Sequence, residues 1–321
     1  MTKIRVGVMR GGPGSEYHVS LKTGGNVLTA LPRSKYEPHD ILITGGGEWN
    51  IDGVPTHPSK LTQHVDVVFN ALHGEFGEDG KVQNILDFFG VPYTGSTVLA
   101  SAIGMNKDLA KKYFAKEGIK VPRGVVVSRG EEIDTVIARV TGAIKSPYVV
   151  KPLSGGSSIG LSLARDEKEL IAAIEYALGY GGEAIVEEYV RGREMTVGVI
   201  NSVRGTHAYA MPALEVLIPE GVLFDYDQKY KNQTHPIGIA RMRDDERRAL
   251  ESAALRAHAA LGVRHYANYD FIIGDEGPCL IEVNTLPGLT QTSLMPKALG
   301  LFGLPLPEFV DFIITLALEK K

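Results

Sequence analysis

Short apolar strands that run straight into glycine-rich, charged loops recur along this chain, and they limit what it can fold into. Ile4-Arg5-Val6-Gly7-Val8-Met9 leads into Gly11-Gly12-Pro13-Gly14, and Asp66–Leu72 leads into the loop His73–Gly80. Tyr148–Val150 leads into Lys151 and the loop Ser154–Gly160. Glycine makes up 37 of the 321 residues, and such clusters mark loops that approach ligands closely. Over the first part of the chain, strands alternate with helical stretches at His18–Thr29 and Lys81–Phe89, with a further short strand at Val91–Thr94. That alternation predicts an open parallel α/β sheet with ligand loops at the carboxyl ends of its strands.

Beyond it the pattern changes. The spacing predicts a basic amphipathic helix over Asn106–Gly118, with Leu109, Ala110, Tyr113 and Phe114 on its apolar face. Strands at Gly124–Val127, Tyr148–Val150, Ile159–Leu163, Ala184–Glu188 and Met195–Ile200, with helices near 131–140 and 167–178, read as α+β rather than as a second doubly wound sheet. A loop at Phe224–Ile239 has no clean period. A helix over Asp244–Leu261, a strand pair at Tyr269–Ile273 and Cys279–Val283, and a helix at Leu306–Leu318 follow. The reading is therefore α/β then α+β: an N-terminal domain at 1–105, a central one at 106–185 and a C-terminal one at 186–321.

Composition sets the class. A chain 44% hydrophobic and 22% charged is globular rather than disordered. With 34 basic and 38 acidic residues, a net charge of −4 disfavours a nucleic-acid partner but allows a local basic groove for a small polyphosphate. The one cysteine, Cys279, excludes an intramolecular disulfide and a multi-cysteine zinc site. No apolar run reaches the ~18 residues of a membrane span, and MTKIRVGVMRGG lacks the apolar stretch of a signal peptide. A cytoplasmic protein without a membrane partner is the expectation.

Four constellations carry chemistry. In Gly11–Glu16 a glycine turn could cradle phosphate at a helix start, although the dinucleotide spacing is incomplete and Glu16 could simply complement the helix dipole. Lys151 with Ser154–Gly160 offers an ammonium, backbone N–H groups and hydroxyls to a polyphosphate; the alternative is a solvated hairpin turn. Asp270, Glu282 and Asn284 lie on two neighbouring strands, where alternation puts Glu282 and Asn284 on one face. Three such oxygen donors suit a hard cation, Mg²⁺ beside phosphate above all. Ile185–Glu194 could pair an adenine edge and hold ribose hydroxyls, or be a charged edge strand.

Taken in order, these segments resemble the ATP-grasp superfamily and, within it, the D-alanine–D-alanine ligases. The resemblance is carried by Glu16–Leu21, His73-Gly74 with Gly77–Gly80, Tyr93–Ser96, Asn106-Lys107 and Val150–Pro152 with Gly156–Ser158. It continues through Asp225-Tyr226, Lys229-Tyr230, Glu282–Thr290 and Ser293-Leu294, over about 280 residues. It implies ATP between the central and C-terminal domains, two Mg²⁺ ions (Mn²⁺ as the alternative) and the ligation of two D-alanines for peptidoglycan precursors. Residue by residue, it implies phosphate contacts for Lys107, Lys151 and Lys229, adenine contacts for Glu187, Glu188 and Val190, and ribose contact for Glu194. Asp270, Glu282 and Asn284 would hold metal. Glu16 would bind the first D-alanine's ammonium near His73, and Ser157 would link Glu16 with Tyr230. Ser293 and Leu294 would receive the second carboxylate, and Gly288 would donate to an oxyanion. A homodimer is also implied.

Two departures stand out. Asn268 occupies the position of an arginine expected to stabilise the oxyanion, and Arg264 upstream is the nearest replacement along the chain. Loss of an oxyanion donor typically costs about 10²–10³ in rate. The expected lid, 224–239, is short, with five residues between Tyr230 and Pro236. A tyrosine at 230 implies D-alanine as second substrate, where depsipeptide-forming relatives carry phenylalanine. The departures leave two alternatives: a related ligase with another acceptor, and a nucleotide-binding homologue with weak or lost turnover. A hydride-transfer enzyme would rest on the first glycine cluster alone.

Overall fold

The structure, a computed structural model, describes residues 2–156, 158–202, 207–217 and 237–319. The first sheet is built from β1 (Ile4–Gly11), β2 (Tyr36–Ile43), β3 (Trp49–Ile51), β4 (Val54–Pro55) and β5 (Val67–Asn70), in the order β4-β3-β2-β1-β5. β1 pairs in parallel with β2 and β5, while β3 and β4 add an antiparallel edge. Helix α1 (Tyr17–Ala30) follows β1, and α2 (Leu61–His64), α3 (Lys81–Phe88) and α4 (Val98–Met105) complete this part. Alternation along β1 sends Val6 and Val8 to one face and Met9 to the other, and both faces are buried. The expected strand at Val91–Thr94 is reduced to a parallel bridge between Val68 and Tyr93.

The middle unit carries an antiparallel sheet of β6 (Gly124–Ser128), β7 (Tyr148–Pro152), β8 (Ser162–Ala164) and β9 (Glu183–Glu188), ordered β6-β9-β7-β8. Helices α6 (Ile133–Ala143) and α7 (Glu167–Leu178) bury Val136, Val140, Leu170 and Ile174 against it. Helix α5 (Lys107–Lys116) precedes this sheet in the chain, yet its Ala110 and Phe114 pack into the third core.

That third core sits on a sheet of β10 (Arg193–Asn201), β11 (Ala208–Ala210), β12 (Leu214–Val216), β13 (Ile237–Ile239), β14 (Tyr266–Gly274) and β15 (Gly277–Asn284). Helix α8 (Asp244–Leu261) lies under it with Leu250, Ala254 and Ala257. The last helices, α9 (Leu294–Phe302) and α10 (Leu306–Leu318), return to the first core, where Met295, Phe309 and Ile313 meet Val6, Val8 and Phe69.

Packing therefore places the seams differently from the sequence boundaries. Position 185 falls inside β9, α5 joins the C-terminal core, and the chain's last helices join the N-terminal one. Among the described residues no single helix is long and apolar enough to cross a membrane. The pair α9 and α10 is apolar enough by length and composition, but it bends by 97° and packs into the first core.

Phe309 is fully buried and meets Tyr266 edge-on, with ring centroids 5.1 Å apart. Phe309→Ala is expected to cost about 3–5 kcal/mol in a denaturant titration. Phe88→Ala, at an exposed ring, should stay within about 0.5 kcal/mol.

Candidate functional site

The acidic pair follows from the way β14 alternates. Ala267, Tyr269, Phe271 and Ile273 enter the third core, so Asn268, Asp270 and Ile272 face the other way. The register shifts between Asp270 and Phe271: Phe271 lies opposite Leu280, but Asp270 lies opposite Glu282. Ile281 is the extra residue of this bulge, which brings Glu282 beside Asp270 while leaving Leu280 in the core. Asn284 lies opposite Asn268.

Above this face, between the middle and third sheets, opens a cavity of about 430 Å³, within the range of small-molecule sites. Lys107, Lys151, Glu187, Glu188, Val190, Glu194, Asp270 and Glu282 all line it, and Val149, Tyr189 and Ile272 add apolar wall. The sequence-expected phosphate, adenine, ribose and metal residues that are described, Asn284 aside, thus share one cleft.

Its charges are buried and interlocked. Asn106 caps α5, its side chain accepting from Leu109 N–H at 2.9 Å. Lys107 Nζ donates to the Gly155 carbonyl at 2.6 Å and lies 3.5 Å from Glu282 Oε1. Glu187, 2% exposed, takes Lys151 Nζ at 3.0 Å on one oxygen and touches Lys111 Nζ with the other. Burial, aided by the charges of Lys151 and Lys107, pulls the Lys111 ammonium well below the ordinary lysine value. The touching Glu187 carboxylate favours the charged form. Glu188 departs from expectation in one respect. Its carboxylate turns to Arg123, accepting from the backbone N–H at 2.9 Å and from Nε at 2.8 Å.

A second, smaller cavity adjoins the first, lined by Glu16, Glu78, Gly104, Gly155, Gly156, Asp270, Glu282, Asn284 and Thr285. Glu16 occupies the N-cap position of α1 but makes no side-chain cap bond. Gly74 and Gly156 close on its carboxylate from two loops; a Cβ on Gly156 would sit 3.0 Å from Glu16 Oε2. Gly74 also has a φ of +66°, a left-handed conformation that glycine adopts without strain.

His73 is buried next to this cavity. Its Nε2 lies 2.8 Å from Thr23 Oγ1, and its Nδ1 lies 3.7 Å from Glu78 Oε1. Thr23 Oγ1 also accepts from Leu289 N–H at 3.4 Å, while Asn26 donates to the Leu289 carbonyl at 3.0 Å. Helix α1 thereby holds the loop that contains Gly288. Ser293 ends this loop as the N-cap residue of α9, just before Leu294, and its Oγ lies 2.7 Å from Thr290 Oγ1. Gly288, Ser293 and Leu294 line neither cavity.

Asn268 is buried on the Asp270 face without lining the small cavity. Arg264 does not stand in for the expected arginine. Its guanidinium stacks 5.1 Å from the Tyr93 ring centroid, and its Nη2 lies 3.4 Å from the Gly95 carbonyl. Ser157, Lys229 and Tyr230 lie outside the described residues. So does the expected lid, except for its last three residues, which form β13.

Three contributors were missed by sequence reasoning. Glu78 lies within a quoted motif, but only the fold shows that it faces His73. Thr23 follows Glu16 along α1 by seven residues, two helical turns, which is a usable signal. Lys111 follows Lys107 by four, and the buried face of α5 is Lys107, Ala110, Lys111 and Phe114. The expected face included Leu109, which is exposed at 39%.

Burial lowers the His73 pKa, but Glu78, by hydrogen bond and charge, and Glu16 override it and raise the value above 6.5. The pair's stabilisation is present below about 6.5 and lost as pH rises through the raised value. Glu78→Gln is expected to drop the His73 midpoint below 6.5, followed by NMR titration of the ring. An unmoved midpoint would remove Glu78 as the cause.

Comparison with known proteins gives one consistent answer. Residues 113–315 match the family described as D-ala D-ala ligase C-terminus, and residues 51–96 match D-ala D-ala ligase N-terminus. A D-alanine–D-alanine ligase of Halalkalibacterium halodurans is 36% identical over 99% of this chain and 100% of its own length. One from Geobacter sulfurreducens is 37% identical over 97% and 93%. Among solved structures, the VanG D-Ala:D-Ser ligase of Enterococcus faecalis superposes with a TM-score of 0.85 at 29% identity, covering 98% of this chain and all of that one. A Bacillus anthracis D-alanine–D-alanine ligase complexed with ATP gives 0.78 at 29% identity, covering 98% and 97%. The chain belongs to the D-alanine–D-alanine ligase family, with the ATP-grasp fold.

Proposed function

We propose that this protein joins two D-alanines at the expense of ATP, through an acylphosphate, to supply peptidoglycan precursors. The observation that carries this reading is the convergence of Lys107, Lys151, Asp270 and Glu282 on one cleft, with Glu16 in the cavity beside it. ATP would lie with its adenine against Glu187, the Glu188 backbone and Val190, its ribose near Glu194, and its phosphates toward Lys107 and Lys151. Lys229 would join them from the lid.

The donor set fits Mg²⁺. Two carboxylates face each other across β14 and β15, with the Asn284 carboxamide next along. The described residues hold no cluster of three histidine, cysteine or acidic side chains. That leaves coordination for phosphate oxygens and water, as Mg²⁺ prefers. Bound there, in two ions by the family resemblance, the metal supplies neutralisation of the transferring phosphoryl group.

The chain's own groups do the rest. Glu16 would pair with the ammonium of the first D-alanine and aim that substrate's carboxylate at the γ-phosphate; the link of Ser157 to Glu16 and Tyr230 is implied by the resemblance alone. Phosphoryl transfer gives an acylphosphate and ADP. The neutral amine of the second D-alanine then attacks the acyl carbon, its carboxylate held at Ser293 and Leu294. Negative charge would collect on the tetrahedral oxygen, toward the Gly288 N–H, until the C–O bond to phosphate breaks and the leaving phosphate takes the proton shed by the new amide nitrogen. Water would hydrolyse the acylphosphate, so in this reading the expected lid, 224–239, would have the task of excluding it. The resemblance also supports a homodimer.

Mass spectrometry after incubation with ATP, Mg²⁺ and D-alanine, with phosphate release followed in parallel, tests the reading. D-Alanyl-D-alanine formed in step with phosphate is expected. Phosphate without dipeptide would redirect the acceptor, and neither product would overturn ligase turnover. Asn268→Arg should raise dipeptide formation, by up to about 10²-fold if the cation supplies an oxyanion donor. An unchanged or lower rate at saturating substrates would assign that charge to another residue.

A further inference from the structure

Lys111 has no task in this mechanism, although a lysine is rarely buried to 6% without one. It stands one helical turn after Lys107 on the inner face of α5. It lies outside the residues lining the large cavity, behind Glu187, which does line it. Glu187 is thus held from two sides: from behind by Lys111 of α5, and from within the cavity by Lys151 of β7 at 3.0 Å. A buried carboxylate with a single ammonium partner holds it strongly, because separation would leave an uncompensated charge. A second lysine on its far oxygen, kept in its ammonium form by that contact against the pull of burial, reduces that hold.

We propose that Lys111 is a positioning residue for the nucleotide phosphates: by neutralising Glu187 from behind, it lets Lys151 exchange its Glu187 contact for a phosphate oxygen. The inference rests on the nucleotide reading of this cleft. Glu187 keeps a counter-ion throughout, so its carboxylate stays ionised as an acceptor beside adenine. Without Lys111, Lys151 would have to serve Glu187 and the phosphates at once.

Calorimetry of the full chain with ATP and with adenosine separates these roles. Lys111→Met is expected to weaken ATP about tenfold or more, the scale of one desolvated charge contact, with adenosine affinity nearly unchanged. In a Glu187→Gln background the same Lys111→Met change should leave ATP affinity nearly unchanged, since no carboxylate then competes for Lys151. Equal losses for ATP and adenosine, or an equal ATP loss in both backgrounds, would overturn the proposal in favour of simple packing. Should Lys111→Met fail to fold, Glu187→Gln alone still decides. Its preference for ATP over adenosine should match or exceed that of the parent protein, and a fall would overturn the proposal. A parent protein that bound neither nucleotide would overturn the nucleotide reading itself, before any variant is made.

Discussion

The site depends on a strand pair that is apolar on one face and acidic on the other. β14 and β15 seal the third core with Tyr269, Phe271 and Leu280, and the same alternation presents Asp270 and Glu282 to the cleft. Two carboxylates side by side on adjacent strands repel each other and are costly to desolvate. Lysines offset that cost. Lys107 approaches Glu282 from the start of α5, held in place by the Asn106 cap and the Gly155 carbonyl. Apolar packing on one face of the sheet thus fixes charge geometry on the other.

Much of this was legible in the sequence, for identifiable reasons. β1 and β5 are short, apolar and end in glycine or polar loops, so strand and ligand loop could both be read. Glu282 and Asn284 alternate, and their shared face is a property of any strand. The bulge at Ile281 was not legible, because Leu280 and Glu282 should then have shared a face. Helix α5 reads in sequence as amphipathic with Leu109 on its apolar face, whereas Leu109 is exposed and Lys107 and Lys111 are buried. Hydrophobicity identifies a face only where the partner surface is apolar, and α5 presents two of its lysines to carboxylates, the part-buried Glu282 and the buried Glu187. Glu188 was assigned to adenine by resemblance, but Arg123, far off in sequence, claims its side chain. The seams between units were also hidden, since nothing local in α9 and α10 marks them as belonging to the first core.

That return of the chain has a consequence for the loop between β15 and α9. At one end the loop is anchored by Asn284 beside the acidic pair. At the other it enters α9, whose Met295 and Leu299 belong to the first core, with Met295 also lying beside Gly198 of β10. Midway, α1 holds both backbone groups of Leu289 through Thr23 and Asn26. Thr23 in turn bonds His73, which Glu78 and Glu16 keep inclined to its charged form. The loop expected to carry the oxyanion donor and the second carboxylate site is therefore held at its middle by the N-terminal unit as well as at its ends by the third sheet.

The absent arginine acquires meaning within this frame. Asn268 lies opposite Asn284 on β14 and β15, so two neutral residues stand where the resemblance leads one to expect a cation beside Asp270 and Glu282. Arg264 cannot be recruited cheaply, because its guanidinium stacks on Tyr93 and its carbonyl partner, Gly95, belongs to the N-terminal unit. The lysines of the site are thereby gathered around the large cavity, with Lys107 and Lys151 on its wall and Lys111 behind Glu187. In the proposed reaction, stabilisation of the tetrahedral oxygen would fall to neutral donors, the Gly288 N–H and the Asn268 amide. Neutral donors make weaker hydrogen bonds to an oxyanion than charged ones, so their placement matters more. The α1 clamp on Leu289, next in sequence to Gly288, provides that placement.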